Sequence, residues 1–129
     1  MVLDTSALLA ILFLEPEADR FADLIASDPR RLLSAASMLE TAIVVEARKG
    51  PSAGRELDLL IHSARIDVVA FEESQLELAR QAWRRFGKGN HRANLNFGDC
   101  FAYALSKSSG EPLLFKGNDF AQTDVTRVA

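Results

Sequence analysis

Short apolar segments that read as strands alternate along this chain with longer segments of helical period, and this alternation most restricts the fold. Strand-like stretches are predicted at Met1 to Asp4, Arg31 to Ala35, Ile66 to Phe71, Pro112 to Phe115 and Asp124 to Val128. Between them lie predicted helices at Ser6 to Leu14, Pro16 to Ser27, Ser37 to Lys49, Arg55 to Ala64, Glu73 to Phe86 and Phe97 to Ser108, with a helical turn near Asn118 to Gln122. Strands joined through helices form a parallel sheet covered on both faces, because each connection must carry the chain back along the sheet. The expected fold is therefore α/β, a three-layer αβα sandwich around a central, mostly parallel sheet. With 129 residues and no linker, repeat or low-complexity tract, one domain spanning residues 1–129 is expected.

Local signals refine this plan. Asp28-Pro29 and Gly50-Pro51 punctuate the chain, and Gly110 closes the helix that precedes the Pro112 strand. Ser37 is a predicted N-cap, with Glu40 three residues on completing a capping box. Leu76, Ala79, Trp83 and Phe86 are spaced for burial, so Trp83 is assigned to the core rather than to a base-stacking platform.

The bulk properties exclude several classes. No signal-peptide pattern opens the sequence, charges interrupt every apolar run, and the expected location is cytoplasmic with no membrane association. One cysteine and two histidines are too few for a zinc site of soft ligands. The formal net charge of −3 gives no global attraction to nucleic acid, so such a partner requires a local basic patch.

The informative residues are four acids at the ends of core elements. Asp4 ends the first strand, and Asp119 follows the fourth by a short polar loop. Glu40 and Asp99 stand in the first turns of their predicted helices. Each has an ordinary use: Asp4 as a cap, Asp99 as a partner of the helix dipole, Glu40 in the capping box. Together they lack matching internal cations, and buried carboxylates are costly without one. A hard divalent cation relieves that repulsion, and Mg²⁺ or Mn²⁺ takes oxygen ligands. An aspartyl-nucleophile phosphatase fits less well, since it favours Asp-x-Asp where this chain has Asp4-Thr5-Ser6.

Four segments carry a family resemblance: Met1-Val2-Leu3-Asp4-Thr5-Ser6-Ala7-Leu8, Ser34-Ala35-Ala36-Ser37-Met38-Leu39-Glu40, Asn96-Phe97-Gly98-Asp99-Cys100-Phe101-Ala102-Tyr103-Ala104 and Pro112-Leu113-Leu114-Phe115-Lys116-Gly117-Asn118-Asp119-Phe120. In this order they resemble the PIN-domain proteins, especially the VapC ribonuclease toxins of type II toxin–antitoxin systems. The resemblance implies a divalent-metal-dependent endoribonuclease with Asp4, Glu40, Asp99 and Asp119 as catalytic acids. It implies Asp4 and Asp99 as ligands of Mg²⁺, with Mn²⁺ a substitute, and Ser6 as a supporting hydroxyl. Many relatives carry Thr-x-Asp-x-Asp-Phe near the fourth acid, whereas here Phe115 and Gly117 take the threonine and first aspartate positions. Asp119 is then the one acid of that motif, reaching metal either directly or through water.

The resemblance further implies an RNA substrate, a cognate VapB-like antitoxin and a homodimer. Lys88, His91 and Arg92 precede Asp99 in a polar loop and, with Lys116, are candidates for gathering RNA phosphates; a solvated loop is the alternative. Arg84 and Arg85 are assigned to a charged helix face. Leu8, Leu9, Ile11, Leu12, Phe13 and Leu14 are either a buried helix or part of a groove for a protein partner. A catalytically silent PIN-fold module binding RNA or protein is the second functional reading.

Overall fold

The structure, a computed structural model, describes residues 1–128. Its order is β1 (Val2–Leu3), α1 (Thr5–Leu12), α2 (Ala18–Ser27), β2 (Leu32–Ser34), α3 (Ala35–Lys49), α4 (Pro51–Ser63), β3 (Asp67–Val69), α5 (Glu73–Phe86), α6 (Phe97–Ser109) and β4 (Leu113–Leu114), followed by a short 3₁₀ turn, Phe120–Gln122. The four strands form one parallel sheet in the order β3-β2-β1-β4. The chain runs outward from β1 through β2 to β3 and then returns to the other side of β1. That reversal opens a crevice at the carboxyl ends of β1 and β4.

Alternation along the strands builds the layers. Val2, Leu32 and Leu113 share one core with Ala79, Ala82, Phe86, Tyr103 and Leu105 of α5 and α6. Their neighbours Leu3, Leu33 and Leu114 enter a second core with Leu8, Phe21 and Ile25 of α1 and α2. A third cluster, Val45, Ala53 and Leu57, joins α3 and α4 to the partly buried Leu9, Leu12 and Phe13. The expected three-layer α/β arrangement with a parallel sheet is what these packings produce.

Three expectations need correction. The stretch Asp124 to Val128 is not a strand: one bridge, Arg127 to Leu113, is all that forms there. Ser37 does not cap α3. Ser34, at the end of β2, does so through its side chain, which accepts from the Ala36 amide, and the helix starts two residues earlier than predicted. The Ser37–Glu40 capping box is therefore absent, and Ser37 Oγ is buried without a protein partner. Trp83 and Leu76 do not join the core either, since each is about half exposed (50% and 46%) while Ala79 and Phe86 of the same stripe are buried.

Of the residues expected either in a buried helix or in a partner groove, Leu8 is buried, Leu9, Ile11, Leu12 and Phe13 are half-buried, and Leu14 is exposed. No helix among the described residues is long and apolar enough to cross a membrane.

Candidate active site

Asp4 occupies the end of β1, where its amide donates to the Leu114 carbonyl of β4 at 3.0 Å. It caps α1: the Ser6 amide donates to Oδ2 at 3.0 Å, and Ser6 Oγ donates to the same oxygen at 2.5 Å. Ser6 Oγ in turn accepts from the Lys116 amide at 3.0 Å. One hydroxyl thus ties the carboxylate after β1 to the backbone after β4 and spans the crevice between them.

Asp99 arrives from α6, which packs on β1 and β2. Asn96 caps that helix through a reciprocal pair: the Asp99 amide donates to Asn96 Oδ1 at 2.9 Å, and the Asn96 amide donates to Asp99 Oδ2 at 3.0 Å. The cap fixes where α6 begins and so where Asp99 sits. Asn96→Ala is expected to lower stability by about 1 kcal/mol, measured by urea denaturation, and to impair cleavage more than that loss alone would, because Asp99 loses its register.

Glu40 lies in the second turn of α3, where its Oε1 accepts from Thr5 Oγ1 at 2.8 Å. Its carboxylate rests against the backbone of Gly98, so close that a Cβ there would stand 2.6 Å from Glu40 Cδ. Any larger residue at position 98 would therefore have to displace the Glu40 carboxylate, a limit set by contact rather than by backbone angle. Neither Thr5 nor Gly98 was singled out by the sequence patterns. A glycine in a first helical turn beside an acid is the signal that marks it in retrospect.

These carboxylates feel one another. Burial drives the Asp4 carboxyl up to about 6, with the Glu40 charge adding to the rise against the hydrogen bonds from Ser6. Asp99 is pushed up to about 7, chiefly by burial and further by the charges of Asp4, Asp119 and Glu40, against the Asn96 amide that favours its anion. Such coupling brings all four predicted acids into one electrostatic neighbourhood. Asp4 is 4% exposed, whereas Asp119 lies on the surface at the start of the 3₁₀ turn.

The donor set is carboxylate and hydroxyl oxygen, as a hard cation requires. Among the described residues, no three histidine, cysteine, aspartate or glutamate side chains stand close enough to make a ready-built cage.

The basic candidates do not gather into one patch. Lys116 Nζ is committed to Glu15 and Glu17 at 3.1 and 2.9 Å. His91 Nδ1 accepts from the Ala93 amide at 2.9 Å, and its ring stands edge-on to Phe86. Arg92 is exposed and lines a cleft of about 440 Å³ with Asn94, Asn118, Asp119 and Gln122. Lys88 lines a separate groove between α5 and α6. Arg84 and Arg85 pair with Glu77 and Asp124, in keeping with a charged helix face.

Comparison with known proteins places this geometry. The PIN domain family model matches residues 1–125. Ribonuclease VapC30 of Mycobacterium tuberculosis is 57% identical over 129 residues, covering all of this chain and 98% of its own. Ribonuclease VapC of Mycolicibacterium smegmatis is 58% identical over 128 residues, covering 99% of both chains. Among solved structures, M. tuberculosis VapC20, described as a Sarcin-Ricin loop cleaving toxin, superposes with a TM-score of 0.78 over 98% of this chain and 97% of its own at 22% identity, a likeness of fold. The acid-bearing ends of β1 and β4, the full-length family match and the high identity to named ribonucleases agree: the chain belongs to the PIN-domain family, among the VapC ribonucleases.

Proposed function

We propose that the chain is the toxin of a VapBC-type pair, an endoribonuclease that hydrolyses RNA phosphodiester bonds with the help of Mg²⁺, which Mn²⁺ can replace. The observation that carries this reading is the desolvated pair Asp4 and Asp99, both held well above the ordinary carboxylate range beside Glu40 and with no cation paired to either among the described residues. Structural ion pairs depress carboxylates; an acidic cluster left repelling itself is poised for a cation.

Asp4 and Asp99 would hold the ion, Asp4 kept in place by Ser6 and Asp99 by the Asn96 cap. When bound, it supplies Lewis acidity toward the phosphodiester and neutralises the clustered charge. Glu40 and Asp119 are the groups placed to orient or deprotonate the attacking water, Asp119 from the open side of the site. Arg92, in the cleft beside Asp119, is the basic candidate best positioned to meet a substrate phosphate.

A cognate VapB-like antitoxin is the proposed partner: the acidic site suits a basic side chain, and Leu12, Phe13 and the exposed Leu14 offer apolar surface nearby on the chain. We also propose a homodimer, supported by the groove of about 760 Å³ between α5 and α6, whose lining includes Phe71, Leu76, Trp83, Phe97 and Phe101. Phe97 is 80% exposed, an unusual position for so large an apolar side chain in an isolated subunit. The proposed location is cytoplasmic.

Cleavage of a structured RNA in Mg²⁺ tests the assignment. Activity is expected to vanish in EDTA, return on adding Mg²⁺ or Mn²⁺, and be absent in Asp4→Asn. Cleavage that persists in EDTA, or in Asp4→Asn at the wild-type rate, rejects the mechanism. Specific RNA binding without cleavage under any metal condition would favour a silent binding module instead.

A further inference from the structure

Glu40 is held from two sides by residues outside the acidic set. Thr5, 7% exposed, donates its hydroxyl proton to Glu40 Oε1 at 2.8 Å. A second acceptor, the Ser37 carbonyl, lies farther from Thr5 Oγ1 at 3.3 Å. The shorter bond to a charged acceptor is the stronger, so the proton belongs to the carboxylate. Thr41, the residue after Glu40 and wholly buried, sets Thr5 in turn. Its Oγ1 lies 3.2 Å from Thr5 Oγ1 and donates to the Ser37 carbonyl at 2.8 Å, filling the competing acceptor. The carboxylate also abuts the backbone of Gly98, with Oε2 the nearest atom, so a side chain there would have to push it away.

We propose that Thr5 is a positioning residue for Glu40: by bonding Oε1 it fixes the carboxylate against the backbone of Gly98, next to Asp99, and leaves Oε2, the oxygen nearest Gly98, as the one free to meet a cation or a water. A glutamate side chain has three rotatable torsions whose freedom must otherwise be lost when it binds. A carboxylate with one oxygen already committed presents a single ligand atom, which suits a small ion with strict octahedral demands. Resting on the metal-site reading above, this assigns a role to a residue that touches neither substrate nor ion.

Calorimetric titration with Mn²⁺, together with cleavage rates, tests it in the full chain. Thr5→Val removes the donor at nearly constant shape and is expected to weaken Mn²⁺ affinity roughly 10–100-fold. Thr5→Ser keeps the donor and is expected to restore most of that affinity. On a Glu40→Ala background, which removes the accepting oxygen, the Thr5→Val change should add less than about twofold, because the group through which it acts is gone. Thermal melts check that each variant is folded, and Thr5→Ala serves as the second donor-free variant should valine fail to fit. Wild-type Mn²⁺ affinity in the donor-free variants, or an undiminished Thr5→Val penalty in the Glu40→Ala background, overturns the positioning role. Wild-type protein that takes up no Mn²⁺ overturns the metal-site reading itself.

Discussion

Replacing Asp99 by Asn is expected to abolish RNA cleavage while making the metal-free protein more stable. The two effects share a cause. Burial and three neighbouring acids hold the Asp99 carboxyl at about 7 in the folded state, far above its ordinary value of 3.8. A folded-state value raised in this way contributes stability that is fully present below about pH 4 and is lost as the pH rises through 7. At pH 8 the metal-free wild type therefore carries the charge at a cost. Asparagine removes the charge but keeps an oxygen able to accept from the Asn96 amide.

Discounted for its partial exposure, the gain is on the order of 1–2 kcal/mol, or about 5 °C in melting temperature. The wild-type melting temperature in EDTA should fall between pH 5 and pH 8, and Asp99→Asn should flatten that slope. Adding Mg²⁺ should raise the wild type and leave the variant nearly unmoved. Asp99 is a proposed ligand of that ion, and its loss should reduce cleavage roughly a thousandfold or more. An Asp99→Asn protein that melts below the metal-free wild type at pH 8 contradicts this account of the cluster.

Gly98→Ala should be nearly as damaging, by a different route. The added methyl would fall 2.6 Å from Glu40 Cδ, closer than any real carbon contact, so either α6 or Glu40 must move. Moving α6 displaces Asp99 and disturbs the packing of Ala102 and Tyr103, a strain of roughly 1–3 kcal/mol. Moving Glu40 breaks its hydrogen bond to Thr5 and takes the carboxylate away from Asp4 and Asp99. Both routes predict at least a hundredfold loss of cleavage by the steep dependence of catalysis on placement. A double variant, Gly98→Ala with Glu40→Ala, should recover the melting temperature but not the activity. Full activity in Gly98→Ala alone would show that Glu40 has no fixed place in the reaction.

The strands and helices that build the core were legible in sequence because their apolar periods and punctuating residues are strong. Asp28-Pro29, Gly50-Pro51 and Gly110 all stand at element boundaries. The failures have physical reasons. Ser34 and Ser37 are equally good caps in isolation, and only the end of β2 decides that the chain turns at Ser34. Trp83 shares a helical stripe with buried residues, yet it lies over a groove that no other element of the described chain fills. The expected last strand has Leu113 alone as its bridge partner, because β4 is only two residues long.

For the acids, sequence supplied their identities and order but not their environment. Asp4 caps α1 and Asp99 completes the capping box that Asn96 opens on α6, and the two also repel one another. The two uses are compatible, since each cap bond fixes a carboxylate that a cation would need fixed. What no one-dimensional pattern disclosed was the partner set of Glu40, because Thr5 is 35 residues away from it along the chain.

The placement of β1 between β2 and β4 also has a kinetic meaning. Asp4 is made long before the strand that walls its crevice, which pairs with β1 across a loop of more than a hundred residues, Val2 with Leu113. Contacts of such span form late and slowly. A growing chain on the ribosome thus holds Asp4 without a finished centre to put it in until β4 has been made. The acids at the end of the first strand and in the third helix are in this sense parts waiting for the strand that closes their crevice.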